Sequence, residues 1–107
     1  MSISQQTKKR VLLIGFGKFG KILHEKFKTH GNVTGIATHN YREVFAATPC
    51  DLIAIATPTI THASIAKDAL RTGKDVFVEK PLSANPNEVK DVFALAEQKN
   101  KKVYVDD

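Results

Sequence analysis

The chain has 107 residues, of which 42% are hydrophobic and 25% charged, a composition typical of one globular domain. No apolar run approaches the roughly 18 residues that a membrane span needs, and the polar start of the chain lacks the apolar stretch of a signal peptide. Cys50 is the only cysteine, which excludes an internal disulfide and a cysteine-based zinc site. These features predict a cytoplasmic protein without a membrane partner.

The net charge of +5 is spread unevenly along the chain. Residues 1–42 contain eight Lys or Arg residues and one acidic residue, whereas residues 43–107 contain eight Lys or Arg residues and ten acidic residues. The basic first part could attract an anion such as a nucleotide phosphate, or it could be a solvated, lysine-rich face. Nucleic-acid binding is not expected, because the basic residues are not interleaved with aromatic residues that look exposed.

The first part of the chain alternates between strand-like and helix-like segments. Residues 1–9 are polar and are predicted to form a loose tail ahead of a single domain at 10–107. VLLIG at 11–15 is a continuous apolar run that ends in glycine, which predicts a strand buried on both faces. The apolar residues of 18–29 recur on one helical face, and a weaker strand follows at 33–37.

The second part of the chain continues this alternation. A short helix is predicted to begin at Asn40 and to end at Thr48-Pro49, and a strand follows at 51–58. Next come a helix at 61–72, which Gly73 ends, and a strand at 76–78. A helix capped by Asn85 and a short strand in KKVYV complete the chain. The two longer helices present apolar stripes made of Ile65, Ala66, Ala69 and Leu70 and of Val89, Val92, Phe93 and Ala96.

Five alternations of strand and helix predict an α/β domain, a Rossmann-like open parallel sheet with helices on both faces. Right-handed crossovers make such a sheet doubly wound, and the expected strand order is 2-1-3-4-5. Ligands of these sheets bind beyond the carboxyl ends of the strands, near the point where the order reverses. In this chain that point lies between the first and third strands.

The turn after the first strand is rich in glycine. It reads GFGKFG, which is Gly15, Phe16, Gly17, Lys18, Phe19 and Gly20. Gly15 would allow the tight turn, Gly17 would let a pyrophosphate approach the backbone, and Gly20 would let the helix pack close to the sheet. The free N–H groups of the helix start would then face the anion. The alternative is a glycine-rich turn that serves packing alone.

The end of the second strand bears on the choice between NAD and NADP. A dinucleotide site for NAD usually has an acid there, which binds the ribose 2′-hydroxyl. This chain has Thr38, His39 and Asn40, followed by Arg42, and no acid. Hydroxyl, imidazole and guanidinium groups suit a 2′-phosphate better, so NADP is slightly favoured over NAD. The alternative is that Arg42 is a surface residue on a short helix.

The third and fourth strands end beside the same crevice. The third strand ends in Ala56-Thr57-Pro58, which would give a flat backbone wall for a nicotinamide and one hydroxyl group. His62 follows in the first turn of the next helix and is either part of this wall or a plain helix-start residue. The fourth strand ends in Glu79-Lys80-Pro81.

The sequence ATPTITHASIAKDALRTGKDVFVEKPLS, together with the glycine turn, resembles the glucose-fructose oxidoreductase, inositol dehydrogenase and MocA (Gfo/Idh/MocA) family. The resemblance extends from about Lys9 to Val105. It implies hydride transfer between a nicotinamide cofactor and a hydroxyl or carbonyl carbon, usually of a sugar or polyol. It also implies that Lys80 meets the reacting oxygen, that Glu79 orients the cofactor or the lysine, and that Pro81 fixes the backbone there, through a cis peptide bond in some turns of this kind.

The chain departs from the family pattern in two ways. The family's second domain, with the substrate pocket, a proton-transferring histidine and aspartate and usually the oligomer interface, is not in the sequence. The segment 38–50 is also shorter than is usual, and it walls the adenosine end of the cofactor. Catalysis is therefore expected to need a further domain or chain, and a homo-oligomer is left open. The alternatives are a nucleotide-binding regulatory module and a degenerate scaffold for protein interaction.

Overall fold

The computed structural model describes residues 10–15, 21, 24–25, 32–37 and 41–106. The strands are β1 (Arg10–Ile14), β2 (Asn32–Ala37), β3 (Leu52–Ile55), β4 (Asp75–Glu79) and β5 (Val103–Asp106), and the helices bounded within the described residues are α1 (Tyr41–Ala47), α2 (Thr59–Arg71) and α3 (Pro86–Lys99). Of the helix predicted over 18–29, the described residues Lys21, His24 and Glu25 are helical.

The five strands form one parallel sheet in the order β2-β1-β3-β4-β5. The predicted order is therefore confirmed. At the carboxyl edge, Ile14 lies beside Ala37 on one side and beside Ile55 on the other. This register brings the ends of β1 and β3 together at the point where the strand order reverses.

Both faces of the central strands are buried, as their continuous apolar sequences predict. One face carries Leu12, Ile14, Ile53, Ile55, Val76 and Val78, which form a core with buried residues from all three bounded helices. The other face carries Val11, Leu13, Leu52, Ala54 and Phe77. Alternate residues of each strand point to opposite faces, so a run without polar residues is needed when both faces are covered.

Helix α2 packs on the sheet and α3 packs beside α2 on the same core, through stripes close to those predicted. Ile65, Ala66, Ala69 and Leu70 are all buried, as are Val92 and Ala96. Phe93 was predicted on the α3 stripe but is 43% exposed. It directly follows Val92, and one helical position turns the side chain by about 100°, which carries it to the edge of the stripe.

The helix ends follow the sequence signals. Asn85 caps α3 by accepting a hydrogen bond from Asn87 N, and Pro86 occupies the first turn. Glu88 accepts from the Ser83 hydroxyl, which in turn accepts from Asn85 N, so these residues form a capping box that contains one additional hydroxyl. Gly73 ends α2 with a φ of 81°. None of the helices in the described part is long and apolar enough to cross a membrane.

Candidate functional site

The turn after β1 lies against the end of β3. Gly15 has a φ of 92°, a conformation that favours glycine. A Cβ at this position would lie 2.7 Å from the carbonyl oxygen of Ala56 and 3.1 Å from Cγ2 of Thr57. Ala56 N also donates to Ile14 O at 2.8 Å. Glycine is therefore required here both for the predicted tight turn and for the close approach of the two loops.

The rest of the glycine turn and the end of β2 cannot be compared with the predictions. Phe16, Gly17, Lys18, Phe19 and Gly20 lie outside the described residues, and so does Thr38. Their proposed contacts with pyrophosphate and ribose stay predictions.

The loop after β3 is held by hydrogen bonds among its own residues. The Thr61 hydroxyl donates to Pro58 O at 2.6 Å, and its oxygen lies 2.6 Å from the Thr57 hydroxyl. Since the Thr61 hydrogen is used on Pro58, Thr57 is the donor in the second bond. The Thr57 oxygen keeps its acceptor capacity, so Thr57 can accept a hydrogen bond from a ligand but has no hydrogen to give.

The loop after β4 presents a lysine to solvent. Lys80 N donates to Asp106 O at 3.2 Å, which continues the pairing of β4 with β5. The Lys80–Pro81 peptide bond is cis, which is one of the forms that turns of this kind adopt. Lys80 and Pro81 are exposed, and within the described residues no hydrogen bond or ion pair involves the Lys80 ammonium. This ammonium is therefore available to a ligand at the carboxyl edge.

His62 is buried beneath the two loops instead of forming an open part of the wall. It is 2% exposed. Its Nε2 lies 2.7 Å from Thr57 O and its Nδ1 lies 3.0 Å from Pro81 O. With both ring nitrogens on backbone carbonyls and almost no exposed surface, the ring has little to offer a cofactor directly. A direct cofactor contact by His62 stays a prediction.

Arg42 has a partner away from the crevice. Its Nε and Nη2 both lie 3.0 Å from Oδ2 of Asp68, which also accepts from the Tyr41 hydroxyl at 2.9 Å. Asp68 lies nine residues beyond Thr59, which is about 14 Å along α2 from the end that faces the crevice. The structure thus brings Lys80, Thr57 and Gly15 to one edge and does not bring Arg42 there.

The Asp68 cluster was not found by sequence reasoning. Arg71 also donates to Asp68, from Nη1 to Oδ1 at 3.3 Å. The pKa of Tyr41 is raised, mainly by burial and secondly by its hydrogen bond to Asp68. The spacing of Asp68 and Arg71 on one helix gives a local signal, whereas the contacts with Tyr41 and Arg42 depend on how α1 packs on α2. These bonds join the two helices and explain the position of Arg42.

Two other kinds of chemical site find no support in the described part of the chain. No group of three His, Cys, Asp or Glu there could hold a metal ion. Cys50 is buried, and burial raises the pKa of its thiol, so it resembles a packed core residue more than a reactive nucleophile.

A family model agrees with the fold. It describes the Gfo/Idh/MocA oxidoreductase family with an NAD-binding Rossmann fold and matches residues 31–107. The chain belongs to this family. Its domain is an NAD-binding Rossmann domain of these oxidoreductases, as the resemblance had implied.

Individual relatives match parts of this chain. It is 41% identical over 71 residues to the uncharacterized oxidoreductase YfiI of Bacillus subtilis, covering 62% of this chain and 18% of the relative. It is 25% identical over 107 residues to the UDP-N-acetylglucosamine 3-dehydrogenase of Acidithiobacillus ferrooxidans, covering 85% of this chain and 34% of the relative. The chain thus spans about a fifth to a third of the length of these relatives.

A solved structure shows the same fold. The WlbA dehydrogenase of Chromobacterium violaceum, in complex with NADH and UDP-GlcNAcA, superposes with a TM-score of 0.85 over 92% of this chain and 35% of its own length. At 18% sequence identity this likeness supports the fold alone.

Proposed function

We propose that this chain is the cofactor-binding part of an oxidoreductase that transfers a hydride between a nicotinamide dinucleotide and a hydroxyl or carbonyl carbon. One observation carries the proposal. An exposed lysine without a recorded partner among the described residues, Lys80, lies at the carboxyl edge of an NAD-binding Rossmann sheet. A regulatory module or an interaction scaffold has no need of a cation at this position, and those two functions are the alternatives.

The residues of the crevice fit a dinucleotide. The backbone of Gly15 lies close to that of Ala56, and a side chain on Gly15 would collide with it. In the proposed complex Gly15, Phe16, Gly17, Lys18, Phe19 and Gly20 hold the pyrophosphate at the start of the following helix. Ala56, Thr57 and Pro58 form the wall for the nicotinamide, and the Thr57 oxygen accepts from its amide. The bound nicotinamide supplies or receives the hydride.

Lys80 is the residue proposed to act on the substrate. Its ammonium would donate a hydrogen bond to the reacting oxygen and stabilise the negative charge that develops there. Glu79 is at the end of β4 beside Asp106, where it would orient the lysine or the cofactor. The carbonyl oxygen of Pro81 itself lies 3.0 Å from Nδ1 of His62, which fixes the backbone after the lysine. Catalysis also needs a group within reach of the transferred proton, and His62 has both ring nitrogens on carbonyls.

The proton-transferring group is therefore proposed to come from a further domain or chain. The chain spans 34% of the Acidithiobacillus dehydrogenase, so most of that relative has no counterpart here. The name of that relative refers to a nucleotide sugar, which supports a sugar- or polyol-like substrate. The same relation leaves room for a homo-oligomer, because the remainder of such an enzyme can supply an interface.

We propose a modest preference for NADP over NAD. Thr38, His39 and Asn40 supply no acid that would repel a 2′-phosphate. Arg42 would contribute only by exchanging its bonds with Asp68 for bonds with the phosphate, since its guanidinium is engaged in the cofactor-free chain. The preference is therefore expected to be smaller than for a site whose arginine already faces the ribose.

The proposal is tested by binding and by activity. Gly17→Val should abolish NADH and NADPH binding while circular dichroism and the unfolding temperature show a folded domain, because its side chain would fill the place of the pyrophosphate. Unchanged affinity would remove the phosphate-loop assignment. The chain completed by the proposed further domain or chain should reduce a nicotinamide cofactor with a sugar or polyol, which is measured by nicotinamide absorbance. Tight binding without turnover over a broad panel would favour the regulatory module.

A further inference from the structure

His62 joins the two loops that carry the proposed chemistry. It belongs to α2, and its ring reaches the carbonyl of Thr57 before the helix and the carbonyl of Pro81 after β4. Thr57 and Pro81 are 24 positions apart in sequence, and their loops follow neighbouring strands. One buried side chain thus links the proposed nicotinamide wall to the residue directly after Lys80.

The geometry of the histidine ring suits this link. A carbonyl oxygen can only accept, so a ring with one N–H donates to one of the two carbonyls. The other ring nitrogen still lies within 3.0 Å of the second carbonyl oxygen, so both loops pack against the ring. The ring is 2% exposed, so water has little access to replace a lost bond. Loss of a hydrogen bond at this buried ring is unfavourable, which favours contact of the loops with the ring.

The link acts close to Lys80. Pro81 has no N–H, and its carbonyl is held by His62. Lys80 itself is tied to β5 through its backbone N–H. The lysine backbone is therefore fixed on one side by the sheet and on the other by the histidine. Misplacement of a reacting group by about 1 Å can cost on the order of a hundredfold in rate.

We infer that His62 is a positioning residue that holds the Lys80–Pro81 loop at a fixed distance from the Ala56–Pro58 loop and so sets Lys80 against the nicotinamide ring. The inference rests on the proposed function, because it assigns the ring position of the cofactor to these loops. It assigns His62 an effect through other residues and no direct contact with the substrate.

The coupling of the loops can be measured without cofactor. In His62→Gln, whose single amide nitrogen cannot occupy the positions of both ring nitrogens, the backbone amide resonances of Thr57, Lys80 and Leu82 should shift or broaden together. The matched control is Ile65→Ala, one turn further along α2, where the buried side chain is 4% exposed and has no hydrogen-bonding group. If the amides of both loops keep their wild-type positions in His62→Gln, the link does not exist and the inference is overturned.

The effect on the cofactor is measured by comparing NADH with ADP-ribose, which lacks the nicotinamide. His62→Ala should weaken NADH binding about tenfold and ADP-ribose binding less than twofold, with a smaller change in His62→Gln. Ile65→Ala should leave the ratio of the two dissociation constants unchanged. Equal weakening of both ligands, or of neither, would overturn the positioning role.

Failure of the proposed function has a different signature. If the wild-type chain binds neither NADH nor ADP-ribose, the dinucleotide proposal is contradicted, whereas the amide resonances of His62→Gln still decide whether the loops are coupled. If His62→Ala does not fold, His62→Gln supplies both measurements. A wild type that binds ADP-ribose but not NADH would contradict the nicotinamide wall, and with it the positioning role.

Discussion

The two edges of the sheet use their polar side chains differently. At the amino edge, Arg10 pairs with Asp51, and Lys74 donates to Cys50 O at 2.8 Å. At the carboxyl edge, the buried ring of His62 contacts the loops after β3 and β4. Lys80 is exposed there, and its ammonium has no hydrogen-bond or ion-pair partner among the described residues. Among the described residues, Arg10, Asp51 and Lys74 thus form bonds at the amino edge, whereas Lys80 is available at the carboxyl edge. This difference locates the site independently of the glycine turn.

Substitution of one lysine at each edge should give the largest difference in catalytic activity. In a full-length enzyme, Lys80→Ala should lower kcat by about a hundredfold to a thousandfold, as loss of one charge-stabilising donor does, with nearly unchanged cofactor affinity. Lys74→Ala is the matched control, because it removes a lysine that donates to a backbone carbonyl at the other edge. Steady-state kinetics would contradict the account if Lys74→Ala lowered kcat as much as Lys80→Ala.

Two glycines with positive φ provide the next test. Gly15→Ala should lower the free energy of unfolding by about 1–3 kcal/mol and weaken NADH binding more than tenfold, since its Cβ meets the Ala56 backbone. Gly73→Ala has a similar φ of 81° but open space around the Cβ, so it should cost about 1 kcal/mol and leave binding unchanged. Urea unfolding and NADH titration of both variants measure this. Equal effects of the two substitutions would contradict the importance of the close approach of Gly15 to Ala56.

The Asp68 cluster gives a smaller and more specific expectation. Arg42→Ala should weaken NADPH binding a few-fold and leave NADH binding unchanged, because only NADPH has the 2′-phosphate. Arg71→Ala removes another arginine that pairs with the same carboxylate, and it should leave the ratio of the NADPH and NADH dissociation constants unchanged. Titration of the two variants with both cofactors tests the proposed exchange of Arg42 from Asp68 to phosphate. An unchanged ratio in Arg42→Ala would leave this arginine with its structural role alone.

The ion pair at the amino edge gives the smallest effect. Hydrogen bonds from Arg10 lower the pKa of Asp51 to about 2, so the folded state favours the ionised carboxylate. This contribution to stability is present above the ordinary carboxyl pKa near 3.8 and is lost as the pH falls toward 2. The gain is modest, since the side chains are 48% and 42% exposed. Urea unfolding between these pH values should show a shallower loss of stability in Asp51→Asn, and an identical slope would contradict the pairing.

The strands and their order could be predicted because the sequence carries the information locally. Leu52, Ile53, Ala54 and Ile55 form an unbroken apolar run, and such runs occur where both faces of a parallel strand are covered. Glycine and asparagine at helix ends likewise act within a few residues. The predicted strand at 51–58 was too long, because Ala56-Thr57-Pro58 is equally free of charge yet forms the loop.

The partners of His62 and Arg42 could not be predicted, because each depends on packing between distant segments. His62 was read as a wall residue or a helix start, whereas its ring meets Thr57 and Pro81 from below. The sequence indicates Arg42 either as a group near the ribose or as a surface residue on a short helix, and it does not decide between the two. Its actual partner, Asp68, is 26 residues away and is reached only after α1 packs on α2. Sequence patterns place residues at an edge but do not say which side chains are already engaged there.

The most direct test of the account is a titration of the wild-type chain with NADH and NADPH, followed by nicotinamide fluorescence. The account predicts saturable, about micromolar binding of both cofactors, which corresponds to roughly 8 kcal/mol, with NADPH modestly preferred. Absence of binding by either cofactor, in a sample shown to be folded by circular dichroism and cooperative unfolding, would contradict the central claim and favour the interaction scaffold.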